Sequence, residues 1–248
     1  MNDILGIDVG GSYIKFASVD SNAGFVTGKL ARQPTPARCT PAQLLSQLED
    51  ISGLHPDCGR IGVAFPAIVR DGIVLTATNI DTSWIGFNLV AAWRERSSTE
   101  LVLVHDSDAA GVAEMNFGAG RGRSDRIMML TLGTGIGTTL FADGHMYGNL
   151  ELGRLAMGEL EAEQRASARA LADRGLTLRE WADELNAVLA EYHRLLWPDV
   201  FIIGGAISAD FAEFGAWLKS PAEILPAKLG NAAGVVGAAV MASRRLSL

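Results

Sequence analysis

Two glycine-rich segments and one acidic cluster contain the residue types in this sequence that could do chemistry. In the first segment, Gly6-Ile7-Asp8-Val9-Gly10-Gly11-Ser12, glycines follow an apolar run. Backbone N–H groups at such a turn can approach an anion closely, because no Cβ keeps the ligand away. Asp8, at the end of the run, can hold Mg²⁺ through water. The alternative is an ordinary hairpin with an aspartate beside its turn.

The second glycine segment is Leu132-Gly133-Thr134-Gly135-Ile136-Gly137, which offers a similar anion cradle with an added hydroxyl. It is similar to the fingerprint of a dinucleotide-binding loop. Its glycine spacing is wrong for that fingerprint, however, and β-branched residues follow where a helix should begin. A nicotinamide site is therefore rejected.

The acidic cluster is His105-Asp106-Ser107-Asp108, which lies between an apolar run and a segment of helical composition. A carboxylate at a strand end can accept the proton of a hydroxyl while glycine turns hold a phosphoryl donor. Asp106 is the candidate for that role. Either aspartate could instead cap the helix, and the spacing alone does not separate the two interpretations.

Apolar periodicity and glycine punctuation predict the elements that position these residues. In the first half we predict strands at Ile4–Val9, Tyr13–Val19, Gly24–Leu30, Arg60–Phe65 and Leu101–Val104, a Pro-bearing loop at residues 34–41, and helices at Ala42–Ile51 and Ala109–Phe117. In the second half we predict strands at Arg126–Leu132, Ile136–Phe141 and Val200–Ile203, with the remainder mostly helical, including Leu178–Trp197 and Ala232–Arg245.

The strand, glycine turn and strand that open each half predict two similar lobes with a cleft between them. We place the N-terminal lobe at residues 1–107, with the C-terminal helix near 232–248 as a possible addition, and the C-terminal lobe at residues 108–248.

Composition excludes several classes of function. The net charge of -7 and the scattered basic residues argue against a nucleic-acid groove as the main surface. Cys39 and Cys58 form no zinc-ligand pattern, and two isolated thiols fit a reducing compartment, the alternative being a single disulfide between them. No apolar run is long enough for an export signal or a membrane span, so we expect a cytoplasmic protein that contacts no membrane.

Taken in order, these segments resemble the ROK (repressor, open reading frame, kinase) family of sugar kinases, and within it the polyphosphate glucokinase branch. The two glycine segments are similar to the family's two phosphate motifs. Segments 79–86, 197–199 and 201–208 resemble stretches of that branch. The resemblance covers nearly the whole chain. It implies an α/β protein with the two-lobed ribonuclease-H-like (actin-like ATPase) fold and a central interlobe cleft.

The resemblance also implies a role for each matching residue. Asp106 falls on the catalytic base and Asp8 on the acid that faces Mg²⁺. Contacts to the phosphoryl donor, polyphosphate or ATP, are implied for Gly10, Gly11, Ser12, Lys15, Gly133, Thr134, Gly135, Gly204 and Gly205. Sugar contacts are implied for Asn79, His105, Asp106, Glu151, Arg154 and Glu163. The Cys-rich zinc loop of many family members is absent, so no zinc is expected.

The chain departs from the family pattern at four sugar-side residues, which are Ala67, His105, Arg154 and Ala156. Arg154 replaces a histidine, and an arginine only donates hydrogen bonds whereas a histidine can also accept them. Arg154 either favours an acidic or phosphorylated sugar or folds outward onto an acidic neighbour.

The expected function is transfer of a phosphoryl group from polyphosphate or ATP to a hexose hydroxyl, following the family's pattern for the glucose 6-OH. The alternative is a sugar-binding member of the family without activity or with altered specificity. We expect a homodimer. Lys15, Arg121 and Arg123 are candidate cations for an extended polyphosphate track.

Overall fold

The structure is a computed structural model that describes residues 3–78 and 80–243. The chain divides into two compact units. Unit 1 contains the residues up to Ala113 and the C-terminal segment from Ala232 onward, and unit 2 is Glu114–Asn231. The predicted lobe boundary after residue 107 lies in the first turn of a helix, Asp106–Phe117, which continues through the division.

Unit 1 is built on a six-stranded mixed sheet and a two-stranded hairpin. Its strands are β1 (Ile4–Val9), β2 (Tyr13–Asp20), β3 (Phe25–Val26), β4 (Ala31–Pro34), β5 (Arg60–Phe65), β6 (Val69–Arg70), β7 (Ile73–Val74) and β8 (Glu100–His105). The main sheet has the order β3-β2-β1-β5-β8, and β4 also pairs with β2. Strands β1, β5 and β8 are parallel, so their carboxyl ends lie at one edge of the sheet.

Helices cover both faces of this sheet. They are α1 (Pro41–Gly53), α2 (Leu89–Arg94) and, at the end of the chain, α8 (Ala233–Ser243), while α3 (Asp106–Phe117) follows β8 and lies against α8. Apolar residues of α1 pack with Ile7 and Val9 of β1 in the core. The opposite face has glycines at Gly6 and Gly62, where a methyl group would overlap the backbone of α8. These two glycines let α8 lie directly on the sheet.

Unit 2 repeats the opening hairpin and continues with its own elements. Its strands are β9 (Ile127–Leu132), β10 (Ile136–Ala142), β11 (His145–Leu150), β12 (Ala156–Met157), β13 (Leu160–Glu161), β14 (Val200–Gly204) and β15 (Glu223–Pro226). The main sheet has the order β11-β10-β9-β14-β15, with β9, β14 and β15 parallel. The carboxyl ends of β9 and β14 therefore lie at the same edge.

The helices of unit 2 are α4 (Ala162–Ala166), α5 (Ala168–Asp173), α6 (Leu178–Leu196) and α7 (Phe211–Phe214). Helix α6 begins with a capping box, in which Thr177 and Glu180 satisfy each other's backbone N–H groups. Its apolar stripe, which includes the buried Trp181 and Leu185, packs against β9 in the core.

Several predicted elements are wrong in detail. The strand predicted at Gly24–Leu30 is reduced to the two residues of β3, and β4, which ends where the predicted Pro-bearing loop begins, was not predicted. Pro34 is tolerated because β4 is an edge strand, where one missing N–H breaks no ladder on its free side.

The second half is also less helical than predicted, since β11, β12, β13 and β15 were missed. The predicted helix Leu178–Trp197 ends at Leu196, because Trp197 adopts a left-handed conformation with a φ of 49°. Within the described residues, no helix is long and apolar enough to cross a membrane. The last residues of the predicted helix Ala232–Arg245 lie outside the described part of the chain.

Candidate active site

The first glycine turn joins β1 to β2 in unit 1. The Gly10 N–H donates to the Tyr13 carbonyl at 3.1 Å and closes the turn. Thr35, just after β4, holds the other side of it, because its hydroxyl donates to the Gly10 carbonyl at 2.6 Å. A methyl group at Gly11 would meet no protein atom within 4 Å, so internal packing does not require a glycine there. An open, exposed apex of this kind leaves room for an anion to approach the backbone.

Asp8 and Lys15 form an ion pair beside this turn. They lie directly opposite each other on β1 and β2, which puts their side chains on the same face of the sheet. The Lys15 Nζ donates to Asp8 Oδ2 at 3.0 Å. The Asp8 carboxylate also lies against Gly234 in the first turn of α8, where a methyl group would stand 2.7 Å from its Cγ. The predicted metal-facing acid and one predicted donor contact are thus direct neighbours.

Asp106 lies where β8 ends and α3 begins, at the sheet edge that also carries the first glycine turn. Burial among its neighbours, followed by the negative charges of Asp8 and Asp108, raises the pKa of Asp106 to about 7. The Ser107 N–H, which donates to Asp106 Oδ1 at 2.6 Å, acts in the opposite direction. The side chain still keeps 39% of its surface accessible. A carboxylate of this kind is half ionised near neutral pH and can be reached by a hydroxyl.

His105 is almost completely buried directly before Asp106. Its Nδ1 lies 3.0 Å from the Ser107 hydroxyl, and its Nε2 lies 3.4 Å from Asp106 Oδ1. The imidazole therefore packs against the predicted base and limits how its carboxyl group can rotate. Ala67, another sugar-side departure, is also buried two residues beyond the end of β5. Asn79, predicted to contact the sugar, lies outside the described residues.

The second glycine turn joins β9 to β10 in unit 2. The Gly133 N–H donates to the Gly135 carbonyl at 3.0 Å, and the Gly133 carbonyl accepts the Arg169 N–H at 3.1 Å. A methyl group at Gly133 would meet no protein atom within 4 Å, whereas one at Gly135 would overlap Glu163 Oε2. Thr134 lies between these glycines. The turn is thus open at Gly133 and occupied by a carboxylate at Gly135.

Gly204 and Gly205 end β14 beside the second turn. A methyl group at Gly205 would overlap the backbone of Leu132, and its φ of 86° is in the region that favours glycine. Gly204 pairs with Thr131 of β9. The five donor-contact residues predicted in this half, which are Gly133, Thr134, Gly135, Gly204 and Gly205, therefore cluster at one edge of the unit 2 sheet.

Glu163 in helix α4 connects the predicted donor contacts of unit 2 with its predicted sugar contacts. Its Oε2 accepts a long hydrogen bond of 3.4 Å from the Ile136 N–H, directly after the second turn. Burial and then the nearby charge of Glu163 raise the pKa of Tyr192. The Tyr192 hydroxyl donates to the Leu152 carbonyl at 2.8 Å. Glu163 thus lies close both to the second glycine turn and to the segment that contains Glu151.

Glu151 begins the short 3-10 turn at Leu152–Arg154. Gly153 of that turn is buried against Ile136, where a methyl group would overlap the Ile136 carbonyl. Arg154 is half exposed, and its guanidinium lies 3.8 Å from Glu161 Oε1. Of the two alternatives for Arg154, this conformation corresponds to the one in which the side chain turns to an acidic neighbour.

Sequence reasoning missed Thr35 and Arg32, both of which β4 brings to the first turn. Arg32 lies directly opposite Lys15 in the β2–β4 pair. No hydrophobic pattern marks Ala31-Arg32-Gln33-Pro34 as a strand, so the sequence offered no signal for either residue.

No group of three or more His, Cys, Asp or Glu side chains suited to holding a metal ion occurs among residues 3–78 and 80–243. The acidic residues near the first turn nevertheless fit Mg²⁺, which usually binds through one or two carboxylates, several waters and substrate phosphates. Asp8 is the residue placed to provide that carboxylate. Cys39 and Cys58 are both free and buried.

Comparison with known proteins identifies the family. The family model described as "ROK family" matches residues 4–160. The chain belongs to the ROK family. It is 37% identical over 236 residues to a polyphosphate glucokinase of Mycobacterium tuberculosis, an alignment that covers 95% of this chain and 89% of that protein. The resemblance to the polyphosphate glucokinase branch is therefore confirmed.

Solved structures of ROK proteins are similar to the whole chain. An inorganic polyphosphate/ATP-glucomannokinase from Arthrobacter sp. strain KM matches with a TM-score of 0.93 and 35% identity, covering 98% of this chain and 99% of that one. A ROK family glucokinase from Streptomyces griseus, solved with glucose and AMPPNP, matches with a TM-score of 0.81 and 25% identity, covering 97% and 99%. The predicted two-domain actin-like fold is confirmed by these neighbours.

Proposed function

We propose that this ROK protein is a sugar kinase that transfers a phosphoryl group from polyphosphate or ATP to a hexose hydroxyl, with the glucose 6-OH as the first acceptor to test. One observation carries the proposal. Asp106 has a pKa raised to about 7 and lies at the same sheet edge as Asp8 and the first glycine turn. The polyphosphate glucokinases and the polyphosphate/ATP-glucomannokinase to which the chain is similar support this choice of donor and acceptor.

In the proposed reaction, Asp106 accepts the proton of the sugar hydroxyl as its oxygen attacks the terminal phosphorus of the donor. The phosphorus–oxygen bond to the rest of the donor breaks in line with that attack, and the leaving phosphate carries away the bonding electrons. A base with a pKa near the working pH suits this step, because it is ionised before the attack and still basic enough to take the proton.

The two glycine turns would hold donor phosphates through backbone N–H groups, at Gly10, Gly11 and Ser12 in unit 1 and at Gly133, Thr134 and Gly135 in unit 2. Gly204 and Gly205 would complete the donor contacts of unit 2. Asp8 would hold Mg²⁺ through water. The bound ion would neutralise charge on the phosphates, which lowers the barrier to attack by an oxygen.

His105, Glu151, Arg154 and Glu163 are proposed to contact the sugar, together with Asn79. His105 would orient both the sugar and Asp106, since its ring already packs on that carboxyl group. Arg154 would contact the sugar only after leaving Glu161, and an exposed pair at 3.8 Å holds it weakly.

We further propose that the kinase works as a homodimer in the cytoplasm. The free thiols of Cys39 and Cys58 are consistent with a reducing compartment. Sedimentation equilibrium of the purified protein tests the dimer, and a single monomeric species across the working concentration range would exclude it.

The deciding experiment measures phosphoryl transfer from polyphosphate and from ATP to glucose, mannose and several amino sugars, using wild type and Asp106→Asn. We expect the Asn variant to lose about 10²–10⁴-fold of its kcat, because general base catalysis contributes a factor of that size. Asp50→Asn, which removes an exposed carboxylate from α1, is the matched control and should keep wild-type activity.

Two results would contradict the proposal. Full activity in Asp106→Asn would remove Asp106 as the base. Binding of glucose to the wild type without product from either donor would favour the alternative, a sugar-binding family member without activity.

A further inference from the structure

Strand β4 creates a row of charged side chains that begins at the first glycine turn. Asp8 lies opposite Lys15 in the β1–β2 pair, and Lys15 lies opposite Arg32 in the β2–β4 pair. Residues directly opposite each other on antiparallel strands point to the same face of a sheet. The three side chains therefore form one line across three neighbouring strands.

This face is the one on which α8 packs, because Gly6 and Asp8 both lie against the backbone of α8. Helix α8 packs mainly on β1 and β5. Arg32 is exposed on the edge strand β4, and its guanidinium stacks 4.5 Å from the centre of the Tyr13 ring. Tyr13 belongs to the turn side of β2, so the stacking directs the Arg32 cation towards the first glycine turn.

The charge along the row becomes positive with distance from β1. Asp8 and Lys15 pair with each other at 3.0 Å. Within the described part of the chain, Arg32 has no carboxylate within salt-bridge distance. Its charge is therefore available to an anionic ligand. The cation of Arg123, by contrast, is held by both Asp125 and Glu223 in unit 2, at 2.6 Å and 2.8 Å.

We propose that Lys15 and Arg32 form an extended subsite for inorganic polyphosphate, with Arg32 binding phosphates of the chain that lie beyond those held at the glycine turn. This inference rests on the proposed kinase function. It assigns Arg32, which is not among the site residues predicted from the sequence, as a residue that favours polyphosphate over ATP.

Distance explains why the two donors would differ. Arg32 stands two strand spacings from Asp8, which is about 10 Å across the sheet. A polyphosphate whose terminal phosphate is held at the turn continues with further phosphates along such a row. ATP has only three phosphates. The nucleoside that follows them carries no negative charge for Arg32 to bind.

The test compares Arg32→Gln with wild type, using long-chain polyphosphate, tripolyphosphate and ATP as donors at saturating glucose. We expect KM for long-chain polyphosphate to rise roughly fivefold, as fits the loss of one exposed charge contact, with kcat little changed. KM for ATP should stay within about twofold of the wild-type value. The rise should shrink in about 0.5 M salt, where exposed charges are strongly screened.

The matched control is Arg94→Gln, which removes an exposed arginine at the end of α2, before β8 begins. We expect this variant to match wild type with all three donors. A polyphosphate KM unchanged by Arg32→Gln, or raised equally for ATP, would overturn the subsite. An equal rise in Arg94→Gln would show that only net charge matters, and would also overturn it.

Failure of the subsite is distinguishable from failure of the kinase proposal. If wild type transfers phosphate from either donor while Arg32→Gln behaves like wild type, the subsite is wrong and the function stands. If wild type transfers phosphate from neither donor, the kinase function itself is wrong. A thermal melt of each variant checks that Arg32→Gln has not simply unfolded β4.

Discussion

The two glycine turns have the same local construction and very different surroundings. Each joins two antiparallel strands, and in each the first glycine donates its N–H to a carbonyl two or three residues later. The turn at Gly10 is braced by Thr35, which directly follows the edge strand β4, and its carboxylate neighbours come from strand ends. The turn at Gly133 is braced by the Arg169 N–H, and its carboxylate neighbour, Glu163, comes from a helix.

Under the proposed function, the surroundings of the first turn serve proton transfer and those of the second turn serve sugar recognition. In unit 1, burial and then the negative charges of Asp8 and Asp108 raise the pKa of Asp106, which is how a carboxylate becomes a base that works near neutral pH. In unit 2, the close fit of Glu163 against Gly135 ties a predicted sugar contact to a predicted phosphate contact. A hairpin motif alone therefore does not define a function, because the elements packed around it decide the chemistry.

The strongest test of the contrast replaces single glycines in the second turn. Gly135→Ala would force Glu163 away, since the new methyl group would overlap its Oε2. We expect kcat/KM for the sugar to fall on the order of 10²-fold, as a displacement of about 1 Å can produce. Steady-state kinetics with varied sugar at saturating donor measure this effect.

Gly133→Ala is the control, because its methyl group would meet no protein atom within 4 Å. It should leave KM for the sugar unchanged and raise KM for the donor. If Gly135→Ala altered only donor binding, Glu163 would not be a sugar contact and the two turns would serve the same task.

A second test uses pH and asks whether the raised pKa belongs to the base. Below pH 7 Asp106 becomes protonated and cannot accept the hydroxyl proton, so kcat/KM should fall about tenfold for each pH unit below 7. The fall should begin at the same pH with polyphosphate and with ATP, although the two donors titrate differently. A profile that followed the donor would assign the titration to its phosphate and remove this support for Asp106.

The smallest expected effect is on stability. The pKa of Asp106 is higher in the folded protein, about 7, than its ordinary value of 3.8, so folding favours the protonated form. The protonated Asp106 side chain therefore raises the free energy of unfolding. This stabilisation is fully present below pH 4 and is lost as the pH rises through 7. Asp106→Asn, which stays neutral, should therefore melt roughly a few degrees above wild type at pH 8 and close to it at pH 4. Equal shifts at both pH values would contradict the raised pKa.

Much of the fold was predictable because apolar runs between glycine turns specify strands directly. Strands β1, β5, β9 and β14 are buried almost throughout and were predicted within a residue or two. Strands β4, β11 and β15 were missed, because edge strands carry polar residues and prolines that give no alternating pattern. The missed β4 places Arg32 opposite Lys15 and leads directly into Thr35, which holds the first turn.

By itself the sequence determined the glycine turns, the acid that follows β8 and the membership in the ROK family, since each depends on residue type and local spacing. Only the tertiary structure decided which groups face one another. It placed Asp8 against Lys15, Glu163 against Gly135 and Arg154 against Glu161. Such pairs depend on strand register and helix packing, which are set by the whole core rather than by neighbouring residues. The pKa of Asp106 has the same origin, because burial and the charge of Asp8, which is distant in sequence, raise it.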